Sequence, residues 1–209
     1  MTVRRLAIFP LTGAVLFPGL QLPLHIFEPR YRAMVQEVLV RDRRIGMIQP
    51  RVVAGTEMRE PPALFDIGCV GHIADVEALD DGRFNLVLAG LTRFRVLREL
   101  EVVTPFRQVE AEIEDSAADD SLSSIERAGV EREAKRFAER QGYLVDWNAV
   151  GQLDDATLVN GIAQVAPFDA AAKQALLEAE TIGERAELAV QLMQFFGRAD
   201  GDEGYVTLQ

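Results

Sequence analysis

Cys69 and His72 are the residues of this 209-residue chain whose side chains best suit nucleophilic catalysis or metal binding. They lie three positions apart in a run with the composition of a β-strand, where alternation places their side chains on opposite faces. A Cys–His dyad or a shared metal would therefore need a bulge between them. The one other imidazole belongs to His25, and a zinc ion takes about four ligands. We interpret Cys69 as a buried thiol and His72 as half-buried, and we predict no metal site.

Serine and phosphate chemistry have equally little support in the sequence. The four serines occur at positions 116, 121, 123 and 124, in an acidic segment and at the start of a helix, where hydroxyl groups cap or solvate the backbone. A P-loop needs a Gly-Lys pair, whereas Lys135 and Lys173 each follow an alanine. We therefore predict that the chain is not an enzyme and that it takes no cofactor.

Arginines alternate with apolar residues in the strand-like run 93–96. Arg93 and Arg95 share one face of this run, a pattern that nucleic-acid-binding strands also show. The alternative is an amphipathic strand whose arginines pair with carboxylates such as Glu28 or Glu99. We favour the second interpretation, because the sequence shows no wider basic patch.

Formal charge is unevenly distributed along the chain, whose net charge is −11. Residues 1–109 carry fourteen arginines, no lysine and a net charge of +2, whereas residues 110–209 have a net charge of −13. This split predicts two bodies with different surfaces, and the acidic balance disfavours nucleic acid as a partner. The single cysteine fits a reducing compartment, and no apolar run approaches the ~18 residues of a membrane span. We therefore predict a cytoplasmic protein with no membrane partner.

Short apolar runs bounded by proline and glycine fill the first half of the chain, a pattern typical of buried strands. An Asp-Gly pair at 81–82 predicts a hairpin between strands over 68–79 and 84–89, and a further strand is predicted over 91–100. A single amphipathic helix interrupts the strands. These features predict a β-barrel subdomain over residues 1–113.

The second half of the chain has the pattern of helices. A small, acidic segment at 114–124 is interpreted as a linker, and 125–209 as an antiparallel helical bundle. Capping boxes are predicted at Ser123–Glu126 and Thr181–Glu184, and Gly197 is predicted to end the last helix. The sequence therefore predicts an α+β protein, with a barrel first and helices after it.

Three segments carry a resemblance that periodicity does not explain. Phe-Pro-Leu at 9–11 is followed by Val-Leu-Phe-Pro-Gly at 15–19 and by Leu-Pro-Leu-His-Ile-Phe-Glu-Pro-Arg-Tyr at 22–31. Gly-Cys-Val-Gly-His-Ile-Ala occupies 68–74, and Asp-Gly-Arg-Phe-Asn-Leu-Val-Leu-Ala-Gly-Leu-Thr-Arg-Phe-Arg-Val occupies 81–96. In this order the segments closely resemble the N-terminal, substrate-binding domain of Lon proteases.

The resemblance implies a PUA-like pseudo-barrel followed by a helical bundle. In that family the unit is non-catalytic and contributes to recognising unfolded or tagged protein substrates. The chain ends where the ATPase of a full-length Lon would begin, and its sequence lacks both the P-loop and the Ser–Lys dyad of the protease. We therefore expect a stand-alone bacterial Lon N-terminal-domain protein whose partners are unfolded or degron-bearing polypeptides, together with a protease or chaperone.

The motif residues divide into two predicted groups. The structural and ion-pairing group comprises Glu28, Arg30 and Arg93, with Glu28 expected to pair with Arg30 or Arg93. A junction between barrel and bundle would create a concave apolar groove, and this groove is the predicted binding site. The peptide-binding candidates are Pro18, Leu24, His25, Phe27, Tyr31 and Phe94.

Two other functions stay open at this point. One is an RNA-binding PUA-like module that uses Arg43, Arg44, Arg93 and Arg95. The other is a small-molecule-binding protein in which His25 or His72 lies beside carboxylates. The sequence also leaves self-association open.

Overall fold

The computed structural model describes residues 1–51, 61–114 and 121–199. The chain forms two compact units, residues 1–118 and 119–209. Most of the predicted linker, residues 115–120, lies outside the described residues. Each unit is described by itself below.

The first unit is a mixed sheet that closes into a ring, with one helix. Its elements are β1 (Thr2–Pro10), β2 (Gln21–Ile26), α1 (Pro29–Leu39), β3 (Arg44–Ile48), β4 (Ile67–Ala78), β5 (Phe84–Glu99) and β6 (Gln108–Ile113). The strand order is β2-β5-β4-β3-β1-β6, and a pairing between β5 and β6 closes the ring. The β1–β3 pair is parallel, and the others are antiparallel. The prediction of a pseudo-barrel with one helix is confirmed.

Strand β5 joins the two halves of this sheet. The prediction of two separate strands over 84–89 and 91–100 is wrong, because β5 runs unbroken from Phe84 to Glu99. Its first half pairs with β2 and β4, and its second half pairs with β4 and β6. The β4–β5 register shifts near Gly90, where Gly90 accepts from the Gly19 N–H and donates to the Leu20 carbonyl. A bulge, and not a chain break, therefore turns the strand at this position.

Phe94 fills the middle of the ring with no exposed surface. It packs in a cluster of aliphatic side chains from β1, β3, β4 and β6. Gly46 and Gly68 make room for its ring, because a Cβ added at either position would lie within 3.0 Å of Phe94 ring atoms. The large side chain on β5 is therefore matched by a glycine on β3 and a glycine on β4.

The second unit is helical. Its elements are α2 (Ser124–Gln141), α3 (Trp147–Val150), α4 (Asp155–Val165), α5 (Ala170–Glu178) and α6 (Ile182–Ala199). Both predicted capping boxes form, at Ser123–Glu126 and at Thr181–Glu184. Helix α6 continues past Gly197, so the predicted stop at that residue is wrong. Gly197 instead faces α2, where an added Cβ would lie 3.0 Å from Arg140 and 3.5 Å from Phe137.

Helices α2 and α6 run side by side in the same direction. Gly183, near the start of α6, faces Glu126 near the start of α2, and Gly197 faces Arg140 near the end of α2. The predicted antiparallel arrangement is therefore wrong for this pair. The reason is topological, since the short helices between them return the chain to the starting end of α2.

Replacing either of two helical glycines by alanine should stabilise the helical unit. A Cβ added at Gly129 in α2 or at Gly161 in α4 meets no atom within 4 Å. Because glycine costs about 0.5–1 kcal/mol relative to alanine inside a helix, Gly129→Ala and Gly161→Ala should each raise the free energy of unfolding by about that amount. The measurement is urea unfolding followed by the fluorescence of Trp147, the single tryptophan of the chain, which lies in this unit.

Gly142→Ala is the control variant, because it should lower stability where the other two substitutions raise it. Gly142 caps α2 with a φ of 70°, which costs energy for any residue with a Cβ. This variant should lower the urea midpoint, and a rise would contradict the assignment of the cap.

Candidate functional site

Strand β2 leaves one side of its backbone open. Among the described strands, it is the one that has a neighbour on a single side, β5. Proline within a sheet is confined to positions whose nitrogen faces away from the paired strand, so the nitrogen of Pro23 faces the open side. His25 lies two positions further on and directs its N–H and C=O the same way. This open side of residues 22–26 is called the β2 edge below.

His25 is held in place by a chain of side chains across three strands. Its Nδ1 lies 2.8 Å from Asn85 Oδ1, and Asn85 Nδ2 donates to Glu77 Oε2 at 2.9 Å. Arg83 Nη1 lies 3.4 Å from the other ring nitrogen, Nε2. The imidazole is therefore fixed in orientation on an exposed face of the sheet.

The hairpin turn between β4 and β5 positions Arg83. Gly82 adopts a φ of 79°, as the predicted Asp-Gly turn requires. Asp81 accepts from both the backbone N–H and the Nε of Arg83, at 3.0 and 2.5 Å. The backbone N–H of Arg83, assisted by its guanidinium, lowers the pKa of Asp81. Arg83 is thus tethered close to His25.

Phe27 follows β2 and is 60% exposed. Its ring lies 6.3 Å from the His25 ring between centroids, with an interplanar angle of 24°. An exposed aromatic ring therefore lies at the end of an open strand edge.

The start of α1 supports this corner. Glu28 accepts from Arg30 Nε at 2.9 Å, so it pairs with Arg30, one of its two expected partners. The Arg30 guanidinium lies 4.6 Å from the centroid of the Tyr31 ring. Tyr31 is buried against Phe9, with 4.4 Å between centroids, and burial raises the pKa of its hydroxyl.

The six predicted peptide-binding residues thus occupy different environments. His25 and Phe27 are exposed, Pro18 and Leu24 are half-buried, and Tyr31 and Phe94 are buried. Tyr31 and Phe94 therefore shape the barrel from within, whereas the two exposed candidates, His25 and Phe27, lie together at the end of β2.

Sequence reasoning did not find the supporting residues Asn85 and Glu77. Counting outward from the Asp-Gly turn pairs Glu77 with Asn85, and antiparallel pairing of β2 with β5 brings His25 opposite Asn85. The first pairing was readable from the hairpin. The second depends on contacts between strands about sixty residues apart in sequence.

Comparison with protein families identifies the chain. The family profile of the ATP-dependent protease La (LON) substrate-binding domain matches residues 5–194. The chain belongs to the Lon substrate-binding domain family. Lon protease 2 of Myxococcus xanthus is 30% identical over 128 residues, which are 60% of this chain and 15% of that protein. Lon protease of Haemophilus influenzae is 24% identical over 196 residues, which are 92% of this chain and 24% of that protein. The chain thus spans a quarter or less of these curated relatives.

Solved structures share the fold of this Lon domain. The Lon N-terminal domain protein from Xanthomonas campestris has a TM-score of 0.67 and 22% identity, with 92% of this chain and 98% of that chain covered. The N-terminal domain of Mycobacterium avium complex Lon protease has a TM-score of 0.69 and 16% identity, with 91% and 98% covered. These likenesses establish the architecture of both units.

Metal and thiol chemistry find no geometric support in the described part of this Lon domain. Cys69 is fully buried, with its Sγ 3.7 Å from the Val70 carbonyl oxygen, and His72 is half-buried. Within residues 1–51, 61–114 and 121–199, no group of three His, Cys, Asp or Glu side chains is placed to hold a metal ion. In the same ranges, no helix combines the length and apolarity needed to cross a membrane.

Carboxylates engage several arginines of the barrel in this Lon domain. Arg93 Nε lies 2.8 Å from Glu114 Oε2, so its partner is neither Glu28 nor Glu99. Glu99 instead pairs with Arg107 at 2.6 Å. The alternation of Arg93 and Arg95 with apolar residues is therefore that of an amphipathic strand with an ion pair, which weakens its case as a nucleic-acid surface.

Proposed function

We propose that this Lon substrate-binding domain binds unfolded or degron-bearing polypeptides by strand addition at the β2 edge. The observation that carries the proposal is a strand edge without a neighbouring strand beside the exposed ring of Phe27. An extended polypeptide would pair with the open backbone groups of β2 and place apolar side chains against Phe27 and Leu24. The matched family is described as a substrate-binding domain, which supports a role in polypeptide binding.

Main-chain pairing suits a domain that must accept many sequences. Backbone N–H and C=O groups are common to every polypeptide, and they are accessible only in unfolded segments. Pro23 removes one donor from the edge, which discourages β2 edges of two copies from pairing with each other. Recognition through backbone groups of the β2 edge would thus select unfolded polypeptides. We infer that the domain does not cleave the bound polypeptide and passes it to a partner protease or chaperone in the cytoplasm.

The variant His25→Pro should weaken polypeptide binding. His25→Pro removes the N–H that faces the open side, whereas His25→Gln removes the imidazole and retains that N–H. We expect the glutamine variant to bind a fluorescently labelled, reduced and carboxymethylated model protein like the original chain. The proline variant should bind about tenfold more weakly or worse, as measured by fluorescence anisotropy.

The buried thiol of Cys69 provides the folding control. It should stay protected from a thiol reagent in both variants if the barrel is intact. Equal binding by the two variants, with Cys69 protected in both, would rule out strand addition at β2.

A further inference from the structure

A cavity of about 340 Å³ lies in the barrel unit between β1, the end of α1, the start of β3 and β6. Three arginines, Arg5, Arg41 and Arg44, line it together with the buried amide of Gln108. Two acidic residues, Glu37 and Asp42, complete its polar lining. The charged residues of the lining thus sum to one net positive charge in a chain of net charge −11.

Arg5 enters the cavity without a carboxylate partner among the described residues. Its cross-strand neighbour Glu110 is engaged by Arg98, with 2.7 Å between Nε and Oε2. Arg5 Nε instead donates to Gln108 Oε1 at 2.5 Å. Gln108 is 2% exposed and donates in turn to Thr104 at 3.0 Å. A buried amide therefore fixes the Arg5 guanidinium and leaves its two Nη groups for another acceptor.

Arg44 is in a similar position. Asp42 accepts from the backbone N–H of Arg44, and no carboxylate in the described ranges lies within 4.0 Å of the Arg44 guanidinium. Glu37 is occupied by Arg41 at 3.0 Å. Glu37 is thus paired with Arg41, Asp42 accepts the backbone N–H of Arg44, and the Arg5 and Arg44 guanidinium groups remain to attract an anion.

We propose that this cavity binds a phosphate group, either as inorganic phosphate or on a phosphorylated side chain of a polypeptide. Two guanidinium groups from different strands offer more donors than the two oxygens of a carboxylate can use, whereas a phosphate monoester presents three acceptor oxygens. Arginine is also the residue whose planar fork matches phosphate geometry. The site is separate from the β2 edge and does not depend on its function.

The test is calorimetric titration of the full chain at fixed ionic strength with inorganic phosphate, a phosphoserine peptide and its unphosphorylated counterpart. Phosphate should bind, and Arg5→Gln and Arg44→Gln should each weaken that binding about tenfold. Arg95→Gln makes the same charge change at an exposed arginine outside the cavity and should change binding less than about twofold. Arg5→Lys retains the charge but lacks the planar set of guanidinium donors, so it should weaken phosphate binding by between about twofold and tenfold.

The outcomes separate the two sources of phosphate. Tighter binding of the phosphopeptide than of inorganic phosphate identifies a phosphorylated polypeptide, whereas the reverse order identifies the free ion. Absence of phosphate binding at millimolar concentration would overturn the proposal. Equal weakening by all three glutamine variants, with Cys69 protected throughout, would overturn it as well.

Discussion

Replacing Gly68 by alanine is expected to destabilise the barrel unit by about 3 kcal/mol or more. The added Cβ would lie within 2.5 Å of the Met47 carbonyl oxygen and close to the Phe94 ring. Met47 lies on β3, which pairs with β4 directly beside this position. The clash therefore cannot be relieved by a side-chain rotation, and the two strands must separate.

Gly46→Ala is the matched variant, because its clashes involve side chains only. A Cβ at Gly46 would meet Leu6 and Phe94, with no backbone atom among its nearest neighbours. Phe94→Ala should itself cost about 3–5 kcal/mol, but it should relieve part of the cost of Gly46→Ala. It should relieve much less of the cost of Gly68→Ala, since the Met47 carbonyl remains in place.

The measurement is the urea dependence of Cys69 labelling by a thiol reagent. Cys69 is the single cysteine of the chain and is fully buried in this unit, so its labelling reports opening of the barrel. Trp147 fluorescence follows the helical unit in the same samples. Equal rescue of both glycine variants by Phe94→Ala would show that the Met47 carbonyl does not set the cost at Gly68.

Features decided by neighbours in sequence were predictable. The Asp-Gly turn, the capping boxes and the amphipathic strand around Arg93 each depend on residues a few positions apart. The segment rich in proline and aromatic residues at 9–31 also carried the family resemblance. Local patterns therefore located the barrel, the helices and the corner that holds His25 and Phe27.

Features decided by distant strands were not predictable from one sequence. Phe94 alternates with arginines and could have faced a ligand, but Gly46 and Gly68 on β3 and β4 admit it to the core. Likewise, the partner of Arg93 is Glu114, which reaches it only once β5 and β6 close the ring. The register between strands that are far apart in the chain decides whether a side chain faces the core or the solvent. It also decides which charged residue lies beside that side chain.

In the helical unit, Arg185→Ala is expected to cost about 3 kcal/mol or more. Arg185 is 6% exposed and connects the start of α6 to the middle of α4 and to the end of α5. Its Nε donates to the Leu176 carbonyl at 2.7 Å, and its Nη groups donate to Asn160 Oδ1 at 2.9 Å and to the Ala179 carbonyl at 3.0 Å. Truncation leaves two buried acceptors, on Leu176 and Asn160, and the half-buried Ala179 carbonyl without that donor, and it opens a void around them.

Two further variants separate geometry from charge at this position. Arg185→Lys retains the charge, but a single ammonium cannot replace three hydrogen bonds donated by three different guanidinium nitrogens, so it should recover only part of the loss. Arg132→Ala removes an exposed arginine from α2 and should change stability by less than about 0.5 kcal/mol. Urea unfolding followed by Trp147 fluorescence compares all three. A midpoint for Arg185→Ala that matches Arg132→Ala would show that the acceptors find other donors, and full recovery by lysine would show that charge alone matters. We expect neither, because the fork of donors joins three helices through a single side chain.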